Sequence, residues 1–459
     1  MKIISANYVL PISGVPIENG AVAIEKDKIV AVGKPAEIIA KFPAAAAEDF
    51  GEAAIMPGFV NAHSHLEITA MRSFLDDVEH DFSRWLVKLS TVRAEKLTES
   101  DIEISAVWGA LEGLRAGVTC FADIGRYGKA GFEALKKTGL RGISFQETDF
   151  SPRNETAADD FQKLVEKFLA LKETETARVK AGISPHAPYT VSRRLFELIA
   201  DYALGEKIDL SIHAAESKEE TEFMLYGTGF FAGIYQKFGH VWDTPKVSTI
   251  EYFDRIGILQ TAPLLAHCVT VSEKDIETVR ASNTRIAHCP KSNAKFGHGI
   301  APLEKFLDEN IKVGLGSDSV ASNNTCDILE ESRFATLLAR SREDKKRLLN
   351  AGEILEAATL GGARALNLEA EIGTLSAGKQ ADLIVISLSA AAQQPVHDVY
   401  AAILFASTAR DVRLTMIGGE EIYRDGDAKT VDEDELRFEM KRIARKMNGK
   451  SEPPAVASG

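Results

Sequence analysis

The feature that most constrains the fold of this chain is an alternation of short apolar segments with amphipathic ones between residues 57 and 371. Eight of the apolar segments are predicted to be buried strands: Gly58–Ala62, Val118–Ala122, Gly142–Gln146, Ala181–Ser184, Asp209–Ile212, Leu264–Ala266, Arg285–Ala287 and Lys312–Leu315. Helical patterns separate them, among them Glu103–Ala116, Ser192–Leu204 and Glu273–Ala281, and Asp327–Ala339 follows the last strand. Eight strands alternating with helices are typical of a (β/α)8 TIM barrel. A doubly wound open sheet is the alternative, but no GxGxxG follows an early strand.

Both ends of the chain instead show the two-residue periodicity of strands that are buried on one face. Ala21–Ile24 with Ile29–Val32, and Leu414–Ile417 with Glu420–Tyr423, are predicted to be β-hairpins around short turns. The chain is therefore predicted to be α/β, with a barrel domain at 57–371 and a small composite β-sandwich domain made of 1–56 with 372–430. Residues 431–459 are expected to form a charged helix and a flexible tail.

Charge and cysteine content exclude several classes of protein. The chain has 54 Lys and Arg against 67 Asp and Glu, whereas a nucleic-acid-binding protein needs a basic surface. Its four cysteines show no CxxC spacing, which argues against a disulfide framework or an all-thiolate zinc site. There is no signal-peptide pattern at the start and no apolar run of the ~20 residues that a membrane span needs. We expect a cytoplasmic protein with a small-molecule substrate and no nucleic-acid or membrane partner; a homo-oligomer is not excluded.

Ionisable side chains gather at the carboxyl ends of the predicted strands, where the reacting groups of barrel enzymes lie. In chain order these residues are His63 and His65, Asp123, Glu147, His186, His213 with Glu216, His267, His288 and Asp318. Six of the ten histidines are in this set, and chance scatter would not favour one face so strongly.

The first of these positions predicts a metal site. His63 and His65 are two residues apart, so on an extended strand their side chains point to the same side. An HxH pair alone is often a chance surface pair, but His213 and Asp318 at later strand ends would complete a set of ligands. Three imidazoles and one carboxylate suit Zn²⁺, with Fe²⁺ as the alternative, and leave a coordination position open for water.

Three residues of the set are candidates for proton transfer. Glu216 is predicted to lie near the metal without binding it and to pass a proton to a substrate nitrogen; the alternative is a solvated loop residue. His267 is predicted to orient the attacking water or polarise the substrate, with a structural histidine as the alternative. Asp318 is predicted to bind metal and also to accept the proton of water, with a helix N-cap as the alternative.

One metal ion is favoured over two. Two-metal hydrolases on such barrels often bridge their ions with a carboxylated lysine at the end of the fourth strand. That end carries His186 here, and Lys180 lies at the opposite end of the same strand.

The motifs around these residues resemble the amidohydrolase superfamily over nearly the whole chain. The resemblance rests on PGFVNAHSH at 57–65, HAAE at 213–216, His267, HCPKSN at 288–293, Asp318 and GTLSAGKQADL at 373–383. It implies a barrel with a composite β-sandwich, and hydrolytic attack at a ring carbon with the help of one metal ion.

Within this superfamily the chain is similar to the branch of methylthioadenosine and S-adenosylhomocysteine deaminases, chlorohydrolases and aminodeoxyfutalosine deaminases. His186, in SPHAPY, matches the substrate-contacting histidine of that branch. The ribose-binding glutamate of adenosine-type deaminases has no counterpart in 85–93, although Glu95 lies just beyond.

Three segments are most similar to the aminodeoxyfutalosine deaminases of menaquinone biosynthesis: HSHLE at 63–67, FSRWL at 82–86 and SKEETEFM at 217–224. This resemblance implies substrate contacts by Glu67 and Glu147, with a supporting role in the loops as the alternative.

The resulting hypothesis is a metal-dependent deaminase of an adenine-type nucleoside, with 6-aminodeoxyfutalosine as the first candidate substrate. Methylthioadenosine, S-adenosylhomocysteine or another heterocycle is the alternative, as is a chlorohydrolase acting on triazines. A metal-stabilised binding protein without turnover is the alternative from outside the enzymes.

Overall fold

The computed structural model describes residues 1–449; the tail predicted at the end of the chain falls largely on 450–459, outside the described residues. Strands β1–β17 span Lys2–Val9, Ile17–Glu25, Lys28–Gly33, Ala46–Asp49, Ala53–Pro57, Phe59–Ser64, Val118–Gly125, Arg141–Glu147, Val179–Ser184, Ser211–Ala214, Leu264–His267, Arg285–His288, Val313–Leu315, Leu383–Ser387, Val412–Ile417, Glu420–Arg424 and Asp427–Ala428. Helices α1–α18 span Pro35–Lys41, Phe82–Lys96, Glu99–Arg115, Gly128–Thr138, Ala157–Lys172, Arg193–Glu206, Lys218–Tyr226, Gly229–Lys237, Thr249–Arg255, Glu273–Ala281, Pro290–Lys295, Leu303–Asp308, Val320–Asn323, Ile328–Ser341, Ala351–Glu356, Gly362–Ala365, Val399–Ala401 and Glu433–Met447.

The predicted (β/α)8 barrel is confirmed. Strands β6–β9 and β10–β13 form two parallel four-stranded sheets. Parallel bridges from Ile183 to Leu210 and from Ser64 to Asp318 close them into one ring. Each of the eight predicted strands overlaps one strand of this ring, because barrel strands are buried on both faces and therefore form nearly continuous apolar runs.

The remaining strands form the predicted composite β domain from both ends of the chain, and they do so as one nine-stranded sheet. Its hydrogen-bonded order is β17-β16-β15-β14-β5-β1-β2-β3, with β4 paired to β1. The central pair joins β5 to β14 in antiparallel register, with Pro57 opposite Leu383. Side chains from both ends, such as Ile4, Val22, Val385 and Leu414, share one apolar cluster.

The terminal helix α18 is fastened to the barrel through Asp101. This buried carboxylate accepts hydrogen bonds from Arg442 at 2.7 Å and Lys446 at 2.6 Å. It also caps its own helix, α3, in a capping box with Thr98. Burial alone would raise the pKa of Asp101, but the bonds from Lys446, Thr98 and Arg442 hold it below its usual range.

The helix α1 was not predicted, because it interrupts a segment that otherwise has the pattern of strands. Its sequence, PAEIIAK, places Pro35 at the first helical position and buries Ile38 alone. Within residues 1–449, no helix combines the length and apolar character needed to cross a bilayer.

Candidate active site

The predicted metal ligands meet at the carboxyl end of the barrel. His63 and His65 lie at the end of β6 and just after it, and His213 lies in β10. One ring nitrogen of each is within 4.8 Å of the other two. Oδ1 of Asp318, after β13, is 3.5 Å from His63 Nε2 and 3.6 Å from His65 Nε2. The edge of a tetrahedron around a zinc ion is ~3.3 Å when each ligand lies ~2.0–2.1 Å from the metal. The distances from Asp318 Oδ1 to His63 and His65 are close to this value, so these donors are spaced as ligands of one ion.

The hydrogen bonds of the imidazoles explain why a cation fits here. His65 Nδ1 lies 3.0 Å from the carbonyl of Ile124, and His213 Nδ1 lies 3.0 Å from the carbonyl of His186. Both Nδ1 atoms must donate to these carbonyls, so in the neutral rings both Nε2 atoms carry lone pairs. The two Nε2 atoms face each other at 3.1 Å, an arrangement that a cation between them relieves.

The surroundings of His63 also indicate that a cation fits here. The imidazole ring is fully buried, and neither nitrogen has a hydrogen-bond partner among residues 1–449. Burial lowers its pKa to about 4, so the ring is neutral and able to bind a metal. Burial likewise holds the pKa of His213 well below its usual range. The donor set thus fits a divalent metal ion.

Asp318 is held in place by hydroxyl groups. Ser292 donates to its Oδ2 at 2.5 Å and Ser322 donates at 2.9 Å, which leaves Oδ1 turned toward the histidines. Burial would raise the pKa of Asp318, but His63 and its neighbouring imidazoles lower it well below the usual range. Asp318 is therefore a carboxylate at neutral pH.

Glu216 and His267 lie beside this cluster, as the sequence predicts. Glu216 Oε1 is 3.7 Å from His267 Nε2, and both side chains are buried. Burial raises the pKa of Glu216 to about 7, so this carboxyl group can both hold and release a proton near neutral pH. His267 is oriented from behind by Asn293, whose Oδ1 accepts a hydrogen bond from its Nδ1 at 2.9 Å.

These groups form the floor of a cavity of about 380 Å³. Aromatic side chains dominate its walls: Phe82 and Trp85 of α2, Phe230 and Phe231 of α8, Tyr189, and Phe296. Tyr189 and Phe231 are stacked with their ring centroids 3.9 Å apart. A planar heterocycle fits such a cavity, because its faces find aromatic partners and its edge meets the polar floor.

The predicted substrate contacts also line the cavity. Glu67 accepts hydrogen bonds from Arg93 at 2.7 Å and from the backbone N–H of Tyr127 at 2.9 Å. Glu147 Oε1 lies 3.9 Å from His186 Nε2. Together with His213 these two residues form a second group of possible metal ligands, but His213 Nε2 already faces His65.

The structure adds Arg93 to the site and leaves two residues named from the sequence, Glu95 and Asp123, outside the cavity. Arg93 enters the cavity from α2 at the stretch where adenosine-type deaminases carry a glutamate, and Glu95 is exposed outside it. Asp123, at the second strand end, does not line the cavity. Its Oδ1 accepts hydrogen bonds from Ser64 Oγ at 2.9 Å and Leu66 N at 2.8 Å, so it supports the turn that carries His63 and His65.

Known proteins share this architecture. The sequence model of the Amidohydrolase family matches residues 54–422, and that of a bacterial imidazolonepropionase-like composite domain matches residues 20–45. A 5-methylthioadenosine/S-adenosylhomocysteine deaminase of Moorella thermoacetica is 31% identical over 456 residues, covering 95% of this chain and 97% of its own.

Two solved structures extend the comparison. An adenosine deaminase from Xanthomonas campestris with bound zinc superposes with a TM-score of 0.86 at 28% identity, over 97% of this chain and 98% of its own. The aminofutalosine deaminase of Helicobacter pylori, in complex with methylthio-coformycin, superposes with a TM-score of 0.79 at 24% identity, over 92% of this chain and 100% of its own. At this identity the likeness supports the fold alone. This chain belongs to the amidohydrolase family and is a hydrolase acting on carbon–nitrogen bonds.

Proposed function

We propose that the protein is a metal-dependent deaminase that replaces the amino group of an adenine-type nucleoside with oxygen and releases ammonia. The proposed ligands of a single divalent ion, Zn²⁺ in the first instance, are His63, His65, His213 and Asp318. The observation that carries the proposal is the placement of Glu216, a buried carboxyl group whose pKa is raised to about 7, beside these ligands on the floor of an aromatic cavity.

A bound divalent ion would supply Lewis-acid activation of water. Asp318 is placed to accept one proton from the attacking water, and His267 to hold the oxygen as the bond to the ring carbon forms. Glu216 gives its proton to the adjacent ring nitrogen. The proton on Asp318 then passes to the amino group, the carbon–nitrogen bond breaks, and ammonia leaves. Glu216 recovers a proton from the new hydroxyl group, which becomes the ring carbonyl.

The first candidate substrate is 6-aminodeoxyfutalosine. The sequence segments that favour it, 63–67, 82–86 and 217–224, all lie at the cavity or next to it, and the first two supply His65, Glu67, Phe82 and Trp85 to its lining. Glu67, Glu147 and His186 are the proposed contacts to the sugar and the ring. Methylthioadenosine and S-adenosylhomocysteine are the second candidates, because the relative from Moorella thermoacetica bears their name.

The test is an ammonia-release screen on protein of measured metal content, with the three nucleosides, adenosine and a chlorinated triazine as substrates. We expect ammonia from a nucleoside, fastest from 6-aminodeoxyfutalosine, and loss of turnover in Glu216→Gln. Full turnover in that variant would refute the role of Glu216. Chloride release from the triazine without any ammonia would identify a chlorohydrolase, and bound metal without turnover would identify a binding protein.

A further inference from the structure

A second histidine reaches Glu216 from a different direction than His267. His298 lies in the loop after α11, between Gly297 and Gly299, and its Nε2 is 3.7 Å from Glu216 Oε1. Its side chain is only 4% exposed. The two imidazoles thus converge on the same carboxyl oxygen, since His267 Nε2 is also 3.7 Å from it.

The loop is built to aim this ring inward. Gly299, directly after His298, has φ = +115°, a conformation that residues with a Cβ rarely adopt. The ring is packed edge-on against Phe82, with the ring centroids 4.7 Å apart, and is tilted against Phe296 at 5.3 Å. His298 Nε2 has no hydrogen-bond partner within the described residues, although it is buried.

Asn293 connects the two histidines. Its side-chain Oδ1 accepts the hydrogen bond of His267 Nδ1 at 2.9 Å, and its backbone carbonyl accepts that of His298 N at 2.9 Å. The bond to Asn293 fixes one proton of His267 on Nδ1, the ring nitrogen that does not face Glu216. His298 is the second imidazole that can supply an N–H to Oε1.

We infer that His298 is a positioning residue for Glu216: its Nε2–H holds Oε1, so that the acid proton resides on Oε2. The inference rests on the proposed function of Glu216 as the proton donor to the substrate ring. Burial lowers the pKa of His298 to about 3, so the ring stays neutral. A separation of 3.7 Å is in keeping with a catalytic hydrogen bond that shortens when substrate is bound.

The carboxyl groups of Glu220 and Asp318 do not take over this role. Glu220 is engaged with the backbone N–H groups of Ala215 and Glu216 itself, at 2.7 and 3.0 Å. Asp318 is a carboxylate and has no proton to donate. His298 is thus a neutral donor to the Glu216 side chain that the proposed chemistry does not otherwise use.

The experiment compares His298→Phe, which keeps the ring packing but loses the N–H, with His298→Gln, whose amide N–H reaches a similar point. We expect kcat for the best nucleoside to fall about ten- to a hundredfold in His298→Phe, with KM nearly unchanged. His298→Gln should recover most of that loss. His240→Phe is the matched control, since His240 is also set among aromatic rings but, within residues 1–449, is not paired with Glu216, and it should keep kcat.

Crystal structures of metal-loaded wild-type protein and His298→Phe provide a second measurement that does not need turnover. We expect Glu216 Oε1 within hydrogen-bond distance of His298 Nε2 in the wild type and a displaced or disordered carboxyl group in the variant. Unchanged kcat in His298→Phe, an equal loss in His298→Gln, or an unmoved Glu216 would each overturn the inference. A wild-type protein that releases no ammonia from any substrate would refute the proposed function, and the two crystal structures would still decide the role of His298.

Discussion

The buried ion pair between Glu67 and Arg93 allows a prediction of defined magnitude. It ties the loop after β6 to helix α2 across the cavity wall, and the two side chains are only 2% and 10% exposed. Replacing Arg93 with Met leaves the Glu67 carboxylate with one remaining bond in the structure, the 2.9 Å contact from Tyr127 N. Removing one partner of a buried pair costs ~3–5 kcal/mol, because a charge stays buried without compensation. We expect Arg93→Met to lower the free energy of unfolding by about 3 kcal/mol.

The double variant Glu67→Gln/Arg93→Met separates this cause from a simple loss of packing. The neutral amide oxygen at position 67 of the double variant can still accept a hydrogen bond from the Tyr127 N–H. The free energy of unfolding should therefore fall by only about 1 kcal/mol. Urea unfolding followed by tryptophan fluorescence measures all variants. Arg84→Met is the control, because the ion pair of Arg84 with Asp81, the N-cap of the same helix, is exposed, and its loss should change the free energy of unfolding by less than ~0.5 kcal/mol. The reasoning is refuted if the single variant loses under ~1 kcal/mol, or if the double variant is no more stable than the single one.

Three further predictions concern the supports of the site and of the fold. In Gly131→Ala the new Cβ would lie 1.9 Å from Asp123 Oδ2, so thermal unfolding should show a loss of ~1–3 kcal/mol, whereas Gly205→Ala, with open space around it, should not be destabilised. His213→Ala should lower the metal content measured by mass spectrometry together with the melting temperature, and metal retained at the wild-type level would contradict the proposed ligand set. Asp101→Asn should destabilise the protein more at pH 7 than at pH 3. The lowered pKa of Asp101 contributes stability above pH ~4, and this stability is lost progressively as the pH falls. Equal losses at both pH values would argue against the charged contacts to α18.

Much of the fold follows from local sequence patterns. Each barrel strand is buried on both faces, so its apolar run is visible without knowledge of its neighbours. The same logic brings polar residues to one end of the barrel, because parallel strands all finish on that side. The proximity of His63, His65, His213 and Asp318 in the structure is therefore what strand order and two-residue spacing lead one to expect.

The walls of the site depend on long-range packing instead. Arg93 reaches the cavity only because α2 packs against it, and nothing in the pattern of 82–96 specifies that placement. Asn293 and His298 act through residues that are distant in the chain, Glu216 and His267. Their partners become evident only when the loop after β12 is seen against β10 and β11.

The pairing of β5 with β14 has a consequence for how the chain is made. Strand β5 is synthesised well before β14, the strand that covers its edge. At ~5–20 residues per second, the interval between the two is on the order of tens of seconds. During that time the first strands present an unpaired edge, which could join another nascent chain. Protein yield should therefore depend on translation speed and on chaperones that shield the amino-terminal segment.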